Sequence, residues 1–304
     1  MKIGFVGLGN LGQPLAMRLL KAGHDVTVTD LRLEAGVKVI AAGASWSSDI
    51  AGVCRKAEAV ITALPSPEAS RAVVENEGGV FDNLMEGSCW IEMSTTDFED
   101  IQRLAKIAKE KGFEVLECPV TGGVHLAYAG EITVLVSGDM DVYDRFKPIL
   151  EAMGKEVIHL GAFGNASVVK VVTNMLAFIH LVAVGEGMML AAKQGIDLGA
   201  TYRAIRASSG NSFVHETESQ VILNGSYNIN FTMDLACKDL RFASQIAERL
   251  NVPLALGSMT NQIFERARNL FGGDAWSPKV VKLLEDVCDQ QLRAPGFPET
   301  LVAE

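Results

Sequence analysis

The sequence predicts an α/β fold: a doubly wound, mostly parallel sheet, followed by an all-α domain that a long helix joins to it. Three observations predict it. A glycine-punctuated turn stands between an apolar strand pattern and a helical pattern at the start of the chain. Strand and helix patterns then alternate to about residue 160. Beyond residue 164 strand patterns stop, and the apolar run 164–193 opens a series of helical segments.

The first strand covers the apolar residues after Lys2, and the turn Gly7-Leu8-Gly9-Asn10-Leu11-Gly12 follows at once. A helix pattern runs from Gln13 to Lys21 and stops at Gly23. A second strand, 25–29, ends in Asp30. GxGxxG alone is a weak signal, but strand-turn-helix is the context it needs. The first glycine permits a tight turn, the second lets backbone approach a pyrophosphate, and the third lets helix pack on strand. Asp30, 18 positions past Gly12, suits the ribose hydroxyls of NAD and repels a 2′-phosphate. Arg32, two residues on, keeps NADP possible. This is a Rossmann-type dinucleotide site.

Further strands are expected at 59–64, 89–93, 114–118, 132–137 and 157–160, with helices at 67–75 and 97–111. Ligands of such a sheet sit beyond its carboxyl ends. There Leu64 and Pro65 open a rigid turn suited to pack beside the cofactor. Ser94-Thr95-Thr96 either bonds the cofactor or caps the next helix. Thr121, Gly122 and Gly123 offer a hydroxyl and exposed N–H groups, a small nest for a carboxylate. His125 is the one histidine beside that nest, a specificity residue on this reading.

Asn165 is the expected N-cap of the long helix. Lys170 and Asn174 stand four apart on it and share one face. Helices follow at 201–208, 213–223, 234–250, 254–270 and 279–292, and a tail with two prolines after Arg293 wraps or frays. The domains thus divide as 1–163, a dinucleotide-binding Rossmann domain; 164–193, the interdomain helix; and 194–304, an all-α domain for substrate and oligomerisation.

Composition narrows the function. The 304 residues favour two domains, and the net charge of −10 with no basic run argues against nucleic acid. Five scattered cysteines without a CxxC pair suggest neither disulfides nor a metal site, and reduced thiols fit a cytoplasmic protein. No signal peptide is expected, because Lys2 leads directly into the first strand. The long helix carries Lys170, Asn174, His180 and Glu186, too many polar groups for lipid, so no membrane partner is expected. It is also more apolar than a small domain readily covers, which suggests a homodimer or homotetramer.

Four stretches in order, GFVGLGNLGQPLAMRLLKAGH, CPVTGGVHLAYAGEITVLVSGD, GNASVVKVVTNML and MDLACKDLRFA, resemble the β-hydroxyacid dehydrogenases, the group of 3-hydroxyisobutyrate dehydrogenase and tartronate semialdehyde reductase. The resemblance implies NAD(P)-dependent interconversion of a small 3-hydroxy acid and its semialdehyde. It places Lys170 on the family's catalytic lysine and Asn174 on its substrate-binding companion. Thr121, Gly122 and Gly123 fall on the substrate-carboxylate loop, and Thr95 and Lys238 on cofactor-contacting positions. Glu117-Cys118 departs from the usual Asp-Ala, and Thr121 from the usual serine. Burial and the helix N-terminus are expected to lower the Lys170 pKa toward its task as general acid and base. The alternatives are an NADPH-dependent semialdehyde reductase and a dinucleotide-binding module without turnover.

Overall fold

The computed structural model describes residues 1–301. The chain forms two compact units, one ending at Lys170 and the other beginning at Val171. In the first, β1 (Lys2–Val6), α1 (Gly12–Lys21) and β2 (Asp25–Thr29) make the opening βαβ unit. Then come α2 (Leu33–Ala41), β3 (Ser45–Trp46), α3 (Ile50–Cys54), β4 (Ala59–Thr62), α4 (Pro67–Val74), α5 (Val80–Asn83) and β5 (Cys89–Glu92). The unit continues with α6 (Phe98–Glu110), β6 (Glu114–Glu117), β7 (Val120–Thr121), α7 (Val124–Ala129), β8 (Thr133–Gly138), α8 (Met140–Met153) and β9 (Glu156–His159).

The strands line up in the order β3-β2-β1-β4-β5-β6-β8-β7, with β9 beside β8. Pairing is parallel from β3 to β6, and β8 runs antiparallel to both β6 and β7. Every residue of β4 and β5 is buried, as expected of strands covered on both faces. The order reverses direction at β1, where chain leaves for β2 on one side and returns as β4 on the other. Ligands bind such sheets at that crevice, off the carboxyl ends.

One row of that edge is polar. Thr62, Glu92 and Glu117 are register partners across β4, β5 and β6, and Ser137 of β8 pairs with Glu117. Register partners in a sheet point to the same face. All four are buried. Packed beneath them on the same face lie Val60, Trp90 and Val115.

The second unit is helical. α9 (Asn165–Lys193) runs into it, followed by α10 (Leu198–Arg206), α11 (Phe213–Asn224), α12 (Met233–Leu250), α13 (Ala255–Phe271), a 3₁₀ turn (Ser277–Val281) and α14 (Lys282–Cys288). Phe178 and Leu181 of α9 pack in a core with Tyr202, Met233, Leu240 and Phe264. By length and composition α9 is apolar enough to cross a membrane, and 33% of its most apolar stretch is buried. The tail wraps rather than frays. Arg293 donates to the Tyr227 hydroxyl (2.7 Å) and to Glu285 (2.9 Å), and Asn224 holds the Phe297 carbonyl (3.0 Å). Residues 302–304 of that tail lie outside the described residues.

Several elements differ from the sequence reading. β3 and β7 hold two residues each, too few for an alternation pattern. α8 carries Pro148 inside it, which hides a helix between two strands. Asn165 is not a cap: it is the first helical residue, and its Nδ2 donates to the Leu160 carbonyl (2.7 Å). The expected helix 279–292 is a 3₁₀ turn opening on Pro278 and then the shorter α14.

Two glycines of the turn leave no room for a side chain. A Cβ on Gly12 would lie 1.9 Å from the Gly7 carbonyl oxygen. Gly7 has φ +95°, and its Cβ would lie 2.4 Å from the Ala63 oxygen. Gly9 faces open space, with nothing within 4 Å of a Cβ. Gly12→Ala is therefore expected to cost about 1–3 kcal/mol, the range for overpacking, and to lower the melting midpoint by several degrees. Gly9→Ala leaves the midpoint near that of the parent. Equal midpoints in a thermal melt would remove this account of the turn.

Candidate active site

A candidate cradle for a dinucleotide lies on the carboxyl edge of β1, β2, β4 and β5. The Gly7–Gly12 turn, with Leu8, Asn10 and Leu11 between the glycines, leads into α1. That helix starts without a side-chain cap and with no acidic residue in its first turn, a helix start whose dipole suits an anion. Asp30 closes the far side. Its Oδ2 accepts from Leu8 N (2.7 Å) and its Oδ1 from Arg32 N (3.0 Å). The Arg32 residue itself is exposed. Open space at Gly9 between two glycines that allow no side chain is the shape a pyrophosphate requires. The residues fit a dinucleotide.

Leu64 and Pro65 follow β4, and Thr95 follows β5. Leu64 N donates to Ser94 Oγ (2.8 Å), and Ser94 N donates to Glu92 Oε1 (2.8 Å). Glu92 is fully buried, and burial raises its pKa to about 7. It thus ties two strand ends together, with Thr95 held just beyond. The side-chain cap of α6 is Asp97, accepting from Glu99 N (2.9 Å) and Asp100 N (3.1 Å).

Thr121 ends β7 opposite Thr133. Gly122 (φ +122°) and Gly123 (φ +91°) follow in conformations that side chains rarely adopt. A Cβ on Gly123 would lie 3.1 Å from the His125 ring. His125 is half-buried, and burial lowers its pKa.

Lys170 and Asn174 lie one turn apart on α9, 8% and 9% exposed. The start of α9 is held by Glu117, which is fully buried. Glu117 accepts from Gly164 N (2.9 Å), from Ser167 N (3.0 Å) and from the hydroxyls of Ser137 and Ser167. Burial pushes its pKa up, and those four donors pull against it.

In the second unit Asn174 and Lys238 meet on one residue. Asn174 Nδ2 donates to Asp239 Oδ2 (2.6 Å), and Lys238 Nζ pairs with Asp239 Oδ1 at 3.4 Å. Asp239 is 1% exposed. The bond to Asp239 sets which way the Asn174 amide points, because only the NH₂ end can donate to a carboxylate.

Sequence reasoning did not single out Asp239, Glu92 or Glu117 as parts of the site. Asp239 carried a signal: it falls on the buried stripe of α12 with Ala236, Leu240 and Ala243. Glu92 and Glu117 carried one too, each standing at the carboxyl end of a strand after two apolar residues, Trp90-Ile91 and Val115-Leu116.

Comparison with known proteins shows the family of the chain. Residues 2–161 match a family profile described as the NAD binding domain of 6-phosphogluconate dehydrogenase. Residues 164–284 match one described as the NAD-binding domain of NADP-dependent 3-hydroxyisobutyrate dehydrogenase. The chain is 34% identical over 289 residues to 2-(hydroxymethyl)glutarate dehydrogenase of Eubacterium barkeri, covering 94% of this chain and 96% of that one. The structure of Mycobacterium tuberculosis 3-hydroxyisobutyrate dehydrogenase with L-serine superposes with a TM-score of 0.83 at 28% identity, over 93% of this chain and 98% of that one. Psf3 in complex with NADP+ and 2-OPP superposes with a TM-score of 0.87 at 26% identity, over 93% and 99%. Glycine cradle, lysine-bearing helix and matched profiles together identify the chain as a member of the β-hydroxyacid dehydrogenase family of NAD(P)-dependent oxidoreductases.

Proposed function

We propose that the chain interconverts a small 3-hydroxy carboxylic acid and its semialdehyde, in the manner of 3-hydroxyisobutyrate dehydrogenase, with Lys170 as general acid and base. The observation that carries this reading is Lys170 itself, an amine 8% exposed on an apolar helix, one turn from Asn174. Lysine is seldom buried without a reason beyond packing. When bound, NAD(P) takes up or supplies the hydride at the carbinol carbon. In oxidation the neutral Lys170 amine accepts the hydroxyl proton; in reduction its ammonium returns that proton to the carbonyl oxygen. Asn174, held by Asp239, orients the substrate beside the amine.

Thr121, Gly122 and Gly123 receive the substrate carboxylate, and His125 borders the remainder of the substrate. The names of the relatives support this. 2-(Hydroxymethyl)glutarate, 3-hydroxyisobutyrate and the serine of the M. tuberculosis complex share a hydroxymethyl group on the carbon that bears a carboxylate. A fixed carboxylate would set the hydroxyl at one distance whatever the third substituent.

For the cofactor, the turn from Gly7 through Leu8, Gly9, Asn10 and Leu11 to Gly12 holds the pyrophosphate. Asp30 takes the adenosine ribose, and Leu64, Pro65, Thr95 and Lys238 border the rest. Asp30 makes NAD the preferred form. Exposed Arg32 supports the second reading, an NADPH-dependent semialdehyde reductase. We also propose a cytoplasmic homodimer or homotetramer. The exposed Val172, Leu176 and Leu190 of α9 support it, since a second copy covering them would remove apolar surface from water.

Lys170→Ala is expected to lower kcat roughly 10²–10⁴-fold, the span for loss of a general acid–base group, while NADH binding by fluorescence titration is retained. Near-normal turnover in that variant refutes the role. Asp30→Ala is expected to lower kcat/KM with NAD about 10- to 100-fold, as for loss of charged hydrogen bonds, and to improve use of NADP. An unaltered preference in steady-state assays would sink the NAD reading. Light scattering without detergent should give at least twice the 32.6 kDa chain mass. A monomer mass, or a need for detergent, counts against the assembly.

A further inference from the structure

We propose that Glu117 is the positioning residue for Lys170: the buried carboxylate at the end of β6 grips the first turn of α9 and so sets where the amine one turn later stands. The inference rests on the assignment of Lys170 above.

A helix start leaves its first four N–H groups without partners in the helix. Capping usually comes from the residue before the helix, and here it comes from a strand. Gly164 N and Ser167 N donate to the two oxygens of Glu117, at 2.9 and 3.0 Å. Ala166 N donates to Ser137 Oγ (3.3 Å), whose own hydroxyl donates to Glu117. The Ser167 hydroxyl makes the fourth donor. Three amides at the start of α9, that of Gly164 just before it and those of Ala166 and Ser167 in its first turn, are thus referred to one carboxyl group, directly or through one serine.

The site would be costly for an unpartnered charge. Glu117 is fully buried, and a buried carboxylate stands only when its lone pairs are filled. Four donors around two oxygens fill them, and the positive end of the α9 dipole lies on the same side. The arrangement is also stiff. Glu117 is fixed in register between Glu92 of β5 and Ser137 of β8. Gly164 has no room to adjust, because a Cβ there would meet Phe98 and Gln102 within 2.6 Å. Lys170 lies three residues past Ser167, about 4.5 Å along the axis at 1.5 Å per residue. A shift or rotation of the first turn therefore reaches the amine undiminished.

Nothing in the hydride chemistry requires Glu117 to touch the substrate. Its neighbour in the row, Glu92, spends its bonds on Ser94 and, through it, on the Leu64 turn. Two adjacent glutamates thus serve different ends of the site: one the turn that borders the cofactor, the other the helix that bears the lysine.

Glu117→Gln keeps shape and one acceptor but turns an NH₂ group toward N–H and O–H donors. A misplacement of about 1 Å can cost 10²-fold in rate, so kcat is expected to fall roughly 10- to 100-fold. The dissociation constant for NADH by fluorescence titration should stay within about twofold, because the glycine turn lies on other strands. Hydrogen exchange should quicken in the peptide carrying the first turn of α9. Glu117→Asp keeps both oxygens and should recover part of the rate. If Glu117→Gln does not fold, Ser137→Ala carries the same test with a several-fold fall in kcat and cofactor affinity retained.

The Lys170→Ala variant is assayed alongside. Turnover in Lys170→Ala overturns the assignment of the lysine. An inactive Lys170→Ala beside a Glu117→Gln with parental kcat overturns only this inference. A parallel loss of kcat and NADH affinity in Glu117→Gln also overturns it, by showing support of the whole sheet.

Discussion

A carboxyl group taken out of water at the end of β6 receives the amides that begin α9. The helix cannot be moved without breaking bonds that have no solvent replacement. The sheet cannot be changed at that row without changing the helix. The same helix runs on from Lys170 into the core of Phe178 and Leu181. Using both oxygens of Glu117 twice opposes part of the cost of its burial.

The candidate polar groups divide between the units. The first unit carries the glycine turn, Asp30 and the two glutamates, all on fixed strand ends. The second carries Asn174, Lys238 and the Asp239 that both address. Each polar group in this set is placed by another that is more deeply buried: Leu64 by Ser94 and Glu92, Asn174 by Asp239, the α9 start by Glu117. Polar groups held in this way lose little on reorganisation when charge develops beside them. It is the expected construction for a family whose cofactor supplies the redox chemistry and whose protein supplies alignment and a proton partner.

Local pattern made much of this legible. The Gly7–Gly12 turn could be read because strand, turn and helix adjoin in sequence, and β2 lies where alternation placed it, Asp25–Thr29. Lys170 and Asn174 could be paired because four residues is one helical turn. What pattern missed depends on partners far along the chain. Glu117 meets Ser137, Gly164 and Ser167 at separations of 20, 47 and 50 residues, and Asn174 meets Asp239 at 65. No periodicity reports such pairs. Sequence showed Glu117 only as an acidic residue where a shorter one is usual, and Asn165 as a cap it does not form, because the capping groups come from strands.

The most direct measurement is a crystal structure of the protein with NADH and an unreactive 3-hydroxy acid analogue. The account predicts Lys170 Nζ about 3 Å from the oxygen on the reacting carbon, within hydrogen-bond reach, on a first helical turn still bound to Glu117. An ordered complex with that nitrogen beyond about 5 Å, and a water or another side chain at hydrogen-bond distance in its place, would contradict it.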